Sequence, residues 1–132
     1  MNRTEKITNE HGTTRHFKNG ELHREGGPAV ERADGDQEWY VNGKLHREGG
    51  PAMEWANGYR AWYINGKRHR EGGPAVEYAN GDQAWYINGK CHREDGPAVE
   101  YANGSKEWYL HGKQLTEEEF KAQTGLNQEG EK

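Results

Sequence analysis

Histidine recurs at His23, His46, His69 and His92, one every 23 residues. Such a ladder invites a metal reading, and strand geometry argues against it. If each unit adds two strands, equivalent atoms lie roughly 9–10 Å apart, twice the ~4.8 Å strand spacing. Zinc needs imidazole nitrogens at about 2.1 Å. No metal and no cofactor are therefore expected, and the histidines read as partly buried groups packed on tryptophan. Arg-Glu pairs recur with the same step, from Arg24-Glu25 to Arg93-Glu94. Their signs cancel, whereas a phosphate site needs unopposed cations. The expectation is ion pairing from connector to connector.

Nucleophilic chemistry finds little footing. Ser105 follows an Asn-Gly pair at a position otherwise filled by Asp36, Tyr59 and Asp82, a tolerant surface site. Cys91 stands where other units have Leu45 and Arg68. His92 is its neighbour in sequence, but adjacent strand residues point to opposite faces. Glu31, Glu54, Glu77 and Glu100 recur too far apart for a general acid/base pair. The Gly-Gly-Pro connectors open no helix, so no phosphate-cradling motif is present. The chain is not expected to be an enzyme.

The elements that carry these residues follow from the same period. Asn-Gly recurs at Asn19, Asn42, Asn65 and Asn88, and Pro at 28, 51, 74 and 97. Trp39, Trp62, Trp85 and Trp108 are each followed by tyrosine. Full units span 28–50, 51–73 and 74–96. A worn unit covers 5–27, with Ile7 at the valine position and His16-Phe17 in place of Trp-Tyr. A last unit covers 97–115. In the unit from Pro74, Asn80-Gly81 and Asn88-Gly89 both read as two-residue hairpin turns, since a type I′ turn needs φ > 0 twice. That register sets Val76 opposite Trp85, and Trp85 opposite His92. One face then carries Val76, Tyr78, Trp85, Ile87 and His92, the better core. The other carries Ala75, Glu77, Ala84, Tyr86 and Cys91. Thr116 with Glu119 forms a capping box, flanked by Leu115 and Phe120, and predicts a helix from Glu117 to about Gln123 ending near Gly125. The tail 127–132 is expected to be disordered.

Composition bounds the fold. Leu, Ile, Val and Phe together number 14 of 132 residues, roughly a tenth where globular domains exceed about a fifth. The net charge is only −4, and 5 Trp and 7 Tyr supply apolar bodies. A thin, regular, aromatic-rich fold in one domain (1–126) is expected. No apolar run approaches the ~18 residues of a membrane span. Met1 to Glu10 is polar, without a signal-peptide core. A single cysteine excludes an internal disulfide. The chain reads as cytoplasmic, and its acidic balance disfavours direct binding of nucleic acid or anionic lipid.

The run W-Y-x-N-G-K-x-H-R-E-G-G-P-A resembles the MORN-like repeats of bacterial and bacteriophage proteins. Their usual ending, HREDGPA, occurs here once, at His92 to Ala98. KQLTEEEF also resembles the closing segment of such phage proteins. The resemblance covers about Glu5 to Lys121. It implies an all-β fold, an antiparallel β-hairpin solenoid of about five units with a short C-terminal capping helix. It also implies protein-binding or scaffolding roles, one branch supplying antitoxin components, and no shared catalytic residues.

The functional expectation is a non-enzymatic protein-binding module acting on another protein, in a bacterial host cytoplasm. A homodimer is compatible with it. The alternative is a phage-encoded inhibitor of a bacterial defence nuclease, of anti-CRISPR or anti-restriction type, that occupies a nucleic-acid cleft. The expected partner surface is the ladder Tyr40, Tyr63, Tyr86 and Tyr109 on one face with Glu31, Glu54, Glu77 and Glu100. Tyrosine there is costly if it meets only water. Either connectors and arginine stems fold over that face as a second core, or a partner covers it.

Overall fold

The computed structural model describes residues 2–126. Antiparallel β-hairpins make up most of it, and one short helix closes the C-terminus. No helix among the described residues is long and apolar enough to cross a membrane.

The unit from Pro74 shows the local logic. Its strands are Val76–Glu77, Gln83–Ala84, Tyr86–Ile87 and Lys90–Cys91. The first two belong to a 12-stranded sheet that runs along the chain. Val76 pairs back to Ala61 in the preceding unit, and Ala84 pairs forward to Val99. The last two form a separate hairpin, Tyr86 with Cys91 and Ile87 with Lys90. These second hairpins make a row of their own. Gly89 N–H donates to the Arg68 carbonyl at 2.8 Å, and Arg70 N–H to the Tyr86 carbonyl at 3.2 Å. Trp85 sits between the two rows. Its N–H donates to the Ala98 carbonyl at 2.7 Å, and its carbonyl accepts from His92 N–H at 3.0 Å.

The two Asn-Gly turns differ. The second matches the sequence reading: Asn88 (φ 51°) and Gly89 (φ 82°) are both left-handed, as type I′ requires. In the first, Gly81 is left-handed (φ 101°) and Asn80 is not. Tyr78 N–H reaches the Asp82 carbonyl at 2.9 Å, which closes a three-residue loop ending in a glycine bulge. The cause is the Asn80 side chain, whose Oδ1 accepts from Asp82 N–H at 3.0 Å. That local bond holds the asparagine in an ordinary turn conformation. Asp34, Asn57 and Asn103 do the same in their units.

One extra loop residue shifts the register by one and exchanges the faces of the first strand. Val76 lies opposite Ala84, not Trp85, and Glu77 opposite Gln83. The core is correspondingly different from the one expected. Ala29, Ala52, Ala75 and Ala98 are fully buried, with Val30, Val76 and Ala61 beside them, while the tryptophans are only half-buried.

At the C-terminus the helix spans Glu117–Thr124, with the Thr116–Glu119 capping box complete and Gly125 left-handed at its end. Phe120 and Leu115 are buried, and they close that end of the sheet. At the other end, the hairpin Thr4–Thr8 with Thr14–Lys18 begins the sheet. His16 N–H donates to the Ala29 carbonyl, the bond that Trp85 makes to Ala98. Ile7 is exposed on this outermost strand, unlike Val76. The tail expected to be disordered, 127–132, lies outside the described residues.

Candidate interaction surface

The recurring tryptophans, histidines and connector arginines gather on one face and bond to one another. His69 Nδ1 accepts the backbone N–H of Asn88 in the next unit at 3.0 Å. His23, His46 and His92 do the same for Asn42, Asn65 and His111. The acceptor role requires an unprotonated Nδ1. The other ring nitrogen faces the connector glutamate, as in His92–Glu94 at 3.0 Å. Both nitrogens are thus engaged, and no metal-holding cluster occurs among the described residues.

The connector arginines stack on the tryptophans. Cζ of Arg47, Arg70 and Arg93 lies 3.9, 3.8 and 3.9 Å from the rings of Trp39, Trp62 and Trp85. Each Nη1 also donates to the following proline carbonyl. A carboxylate partner lies seven residues on, as in Arg70–Glu77 at 3.5 Å and Arg93–Glu100 at 3.2 Å, and Arg93 also pairs with Asp95 in its own connector at 2.9 Å. The expected pairing of connector with connector is therefore replaced by Arg-to-strand and Glu-to-His pairs. A Cβ at Gly73 would meet Arg70 Cζ at 3.0 Å, so the second connector glycine makes room for the arginine. A groove of about 970 Å³ runs along this face past Trp85, Ile87, His92 and Arg93. Its polar groups are largely spent on one another.

In the worn unit His16 takes the tryptophan position and Arg24 has no indole to cover. Burial, then the charge of Arg24, lowers the His16 pKa, with Glu31 acting in the opposite sense. Its Nε2 is buried without a hydrogen-bond partner.

The opposite face is aromatic and irregular. Trp55 meets Tyr59 with ring centroids 4.8 Å apart, and Tyr59 meets Tyr78 at 5.4 Å. Arg68 Nε donates to the Tyr63 hydroxyl at 3.3 Å and Nη1 to the Tyr86 hydroxyl at 3.5 Å. Glu38, almost fully buried, accepts from Arg32 at 2.8 Å, from Trp55 Nε1 at 3.3 Å and from Tyr40 at 3.4 Å. Farther along, Glu107 accepts from the hydroxyls of Tyr101 and Tyr109. Burial raises the pKa of Tyr59, and burial with the Glu38 carboxylate raises that of Tyr40, so both hydroxyls stay protonated. Tyr78 is 44 % exposed and Tyr101 37 %. Burial also pushes the Cys91 thiol up to about 11, which leaves it a poor nucleophile.

Of the expected surface residues, Tyr40, Tyr63, Tyr86 and Tyr109 lie on this aromatic face. Glu31, Glu54, Glu77 and Glu100 do not: the shifted register carries them to the tryptophan face, each against a connector arginine. The shared Tyr–Glu face is thus corrected. Sequence reasoning passed over Trp55, Tyr59, Arg68 and Tyr78. For Tyr59 and Arg68 the signal was a departure from the repeat; Trp55 and Tyr78 share an aromatic position that recurs at Tyr101. Tyr59 replaces Asp36 and Asp82, and Arg68 replaces Leu45 and Cys91.

The chain matches no family model, no curated protein and no solved structure.

Proposed function

We propose that the chain is a β-hairpin solenoid of about five 23-residue MORN-like units, acting without catalysis as a module that binds another protein through its aromatic face. The single observation that carries this reading is Tyr59. Asp36 and Asp82 each accept a backbone N–H from the next unit, from Ala56 at 2.8 Å and from Ala102 at 2.7 Å. Tyrosine has no carboxylate to offer Ala79. Unit 51–73 has given up a bond between units for an aromatic contact with Trp55 and Tyr78. A local rule given up in one unit alone supports a functional site there. Tyrosine, tryptophan and arginine are also the side chains that dominate protein interfaces.

The partner fits a bacterial host protein in the cytoplasm. Inhibition of a defence nuclease is one form such binding could take. Mimicry of nucleic acid by the glutamate ladder is poorly supported, because Glu31, Glu54, Glu77 and Glu100 are already paired with arginine.

The test is capture from a bacterial lysate by three immobilised proteins. The unaltered chain and Lys90→Glu, on the tryptophan face, should enrich the same protein. The doublet Trp55→Ala with Tyr78→Ala should not. Equal capture by all three, capture lost only in Lys90→Glu, or no specific capture by the unaltered chain contradicts the proposal.

A further inference from the structure

Arg68 is the one group of the aromatic cluster whose charge is unanswered. Arg47, Arg70 and Arg93 each have a carboxylate within 3.7 Å, and Arg32 is taken by Glu38. Among the described residues Arg68 has none within 4.0 Å. The hydrogen bonds it does make go to neutral tyrosine hydroxyls, those of Tyr63 and Tyr86, and the Tyr86 ring lies 5.2 Å from its Cζ. A half-buried cation answered only by neutral oxygens is incompletely compensated. Position 68 does not need the charge for folding, since Leu45, Cys91 and Gln114 serve there in other units.

The donors that remain free converge. A hydroxyl that accepts from a guanidinium keeps its own O–H to give. The unused N–H groups of Arg68 and the O–H groups of Tyr63 and Tyr86 therefore form a cluster of donors with no acceptor among the described residues. The planar guanidinium fork matches a carboxylate in two-point contact. Phosphate fits less well. It carries more charge, and the same face holds the carboxylates Glu38 and Glu107 with no second free cation in the cluster.

We propose that Arg68, with the hydroxyls of Tyr63 and Tyr86, is an anchor for a carboxylate carried by the protein partner, an aspartate or glutamate side chain. The inference rests on the reading of the aromatic face as a partner surface and adds what that partner must present. Trp55, Tyr59 and Tyr78 would then cover apolar surface beside the ion pair and keep water from it, the arrangement that makes a charge-assisted bond strong.

The direct test is an NMR titration of the full chain with sodium acetate, following the Arg68 Nε–H signal and the ring signals of Tyr63 and Tyr86. Acetate should shift all three saturably, while sodium chloride at equal ionic strength should not. Arg68→Gln, a neutral residue the repeat already uses at Gln114, should abolish the tyrosine response. A response to acetate no different from chloride overturns the anchor. So does sodium phosphate saturating the site at lower concentration than acetate. Lysate capture separates the two layers of the account. Arg68→Gln should weaken capture by about tenfold, the weight of one charge-assisted bond, and Arg68→Lys should recover only part of it. If Arg68→Gln captures like the unaltered chain while the Trp55/Tyr78 doublet fails, the interface stands and the anchor falls. If the doublet also captures normally, the interface itself falls.

Discussion

The two faces of the hairpin ribbon obey different rules. On the tryptophan face the three full units repeat one set of bonds: Arg on Trp, Arg to Pro carbonyl and Glu, His to the next turn. On the tyrosine face the ladder tyrosines repeat, together with Val30, Val76 and Val99, which pair with Glu38, Ala84 and Glu107. Around them stand Glu38, Ala61, Ala84 and Glu107 at one position, and Leu45, Arg68, Cys91 and Gln114 at another. A face whose bonds link each unit to the next must keep its residues, because in a repeat array stability is largely intrinsic unit terms plus nearest-neighbour interfaces. The tyrosine face also carries links between units, Trp55 to Glu38 and Arg68 to Tyr86, but among the described residues no one such link recurs in every unit, so its residues can vary. Variation within one chain therefore marks the positions the scaffold does not fix, and the proposed interface is built from these.

The sharpest way to break this division is to delete a unit. Removal of residues 51–73 joins two equivalent scaffolds and should leave a folded, shorter β protein that no longer captures the partner. Removal of residues 51–62 alone splits a hairpin and should abolish cooperative folding. Circular dichroism with thermal melting reads both, and a whole-unit deletion that unfolds would overturn the repeat account.

Next in size is the contrast between neighbours of opposite face. Trp85→Ala strips the ring under Arg93 and should cost about 3 kcal/mol in urea unfolding. Tyr86→Ala should cost about 1 kcal/mol, a surface-like value. Equal costs would mean that the tyrosine face is a second core. A smaller effect falls between, in His69→Leu. It leaves the Asn88 N–H without its acceptor and should cost about 1–2 kcal/mol.

Smaller still is the pH response of the worn unit. The folded-state pKa of His16 is lowered, so the neutral ring is the form the fold favours. Its contribution is complete above the ordinary value of 6.5 and is lost as pH falls below it. His16→Trp should supply Arg24 with an indole and flatten the melting temperature across that range. An unchanged acid slope would show that His16 does not carry it.

Much of this was legible in the sequence. The 23-residue step, the second turn and the capped helix all rest on local chemistry, in Asn88-Gly89 and in Thr116 with Glu119. The first turn was not legible, because Asn80-Gly81 offers the same dipeptide. What decides it is whether the asparagine side chain folds back on Asp82 N–H, as Asn80 does, or its backbone N–H is taken by a histidine of the preceding unit, as with Asn88. Half of the surface went astray with that one residue. The ladder tyrosines were found because they repeat. Tyr59 and Arg68 were missed for the converse reason, and Trp55 and Tyr78 because the two-residue turn set their recurring aromatic position on the core face.

Tyr59→Asp tests the central claim most directly, since it returns the position to the residue found at Asp36 and Asp82. Aspartate there can accept the Ala79 N–H, as Asp36 accepts Ala56. Paired urea unfolding and partner-binding curves on the two proteins are the measurement. The regained bond and the lost ring contacts with Trp55 and Tyr78 oppose one another, so stability should change by no more than about 1 kcal/mol, while binding is lost. A Tyr59→Asp protein destabilised well beyond that, or one that binds as tightly as before, would contradict the proposed recognition role of the aromatic face.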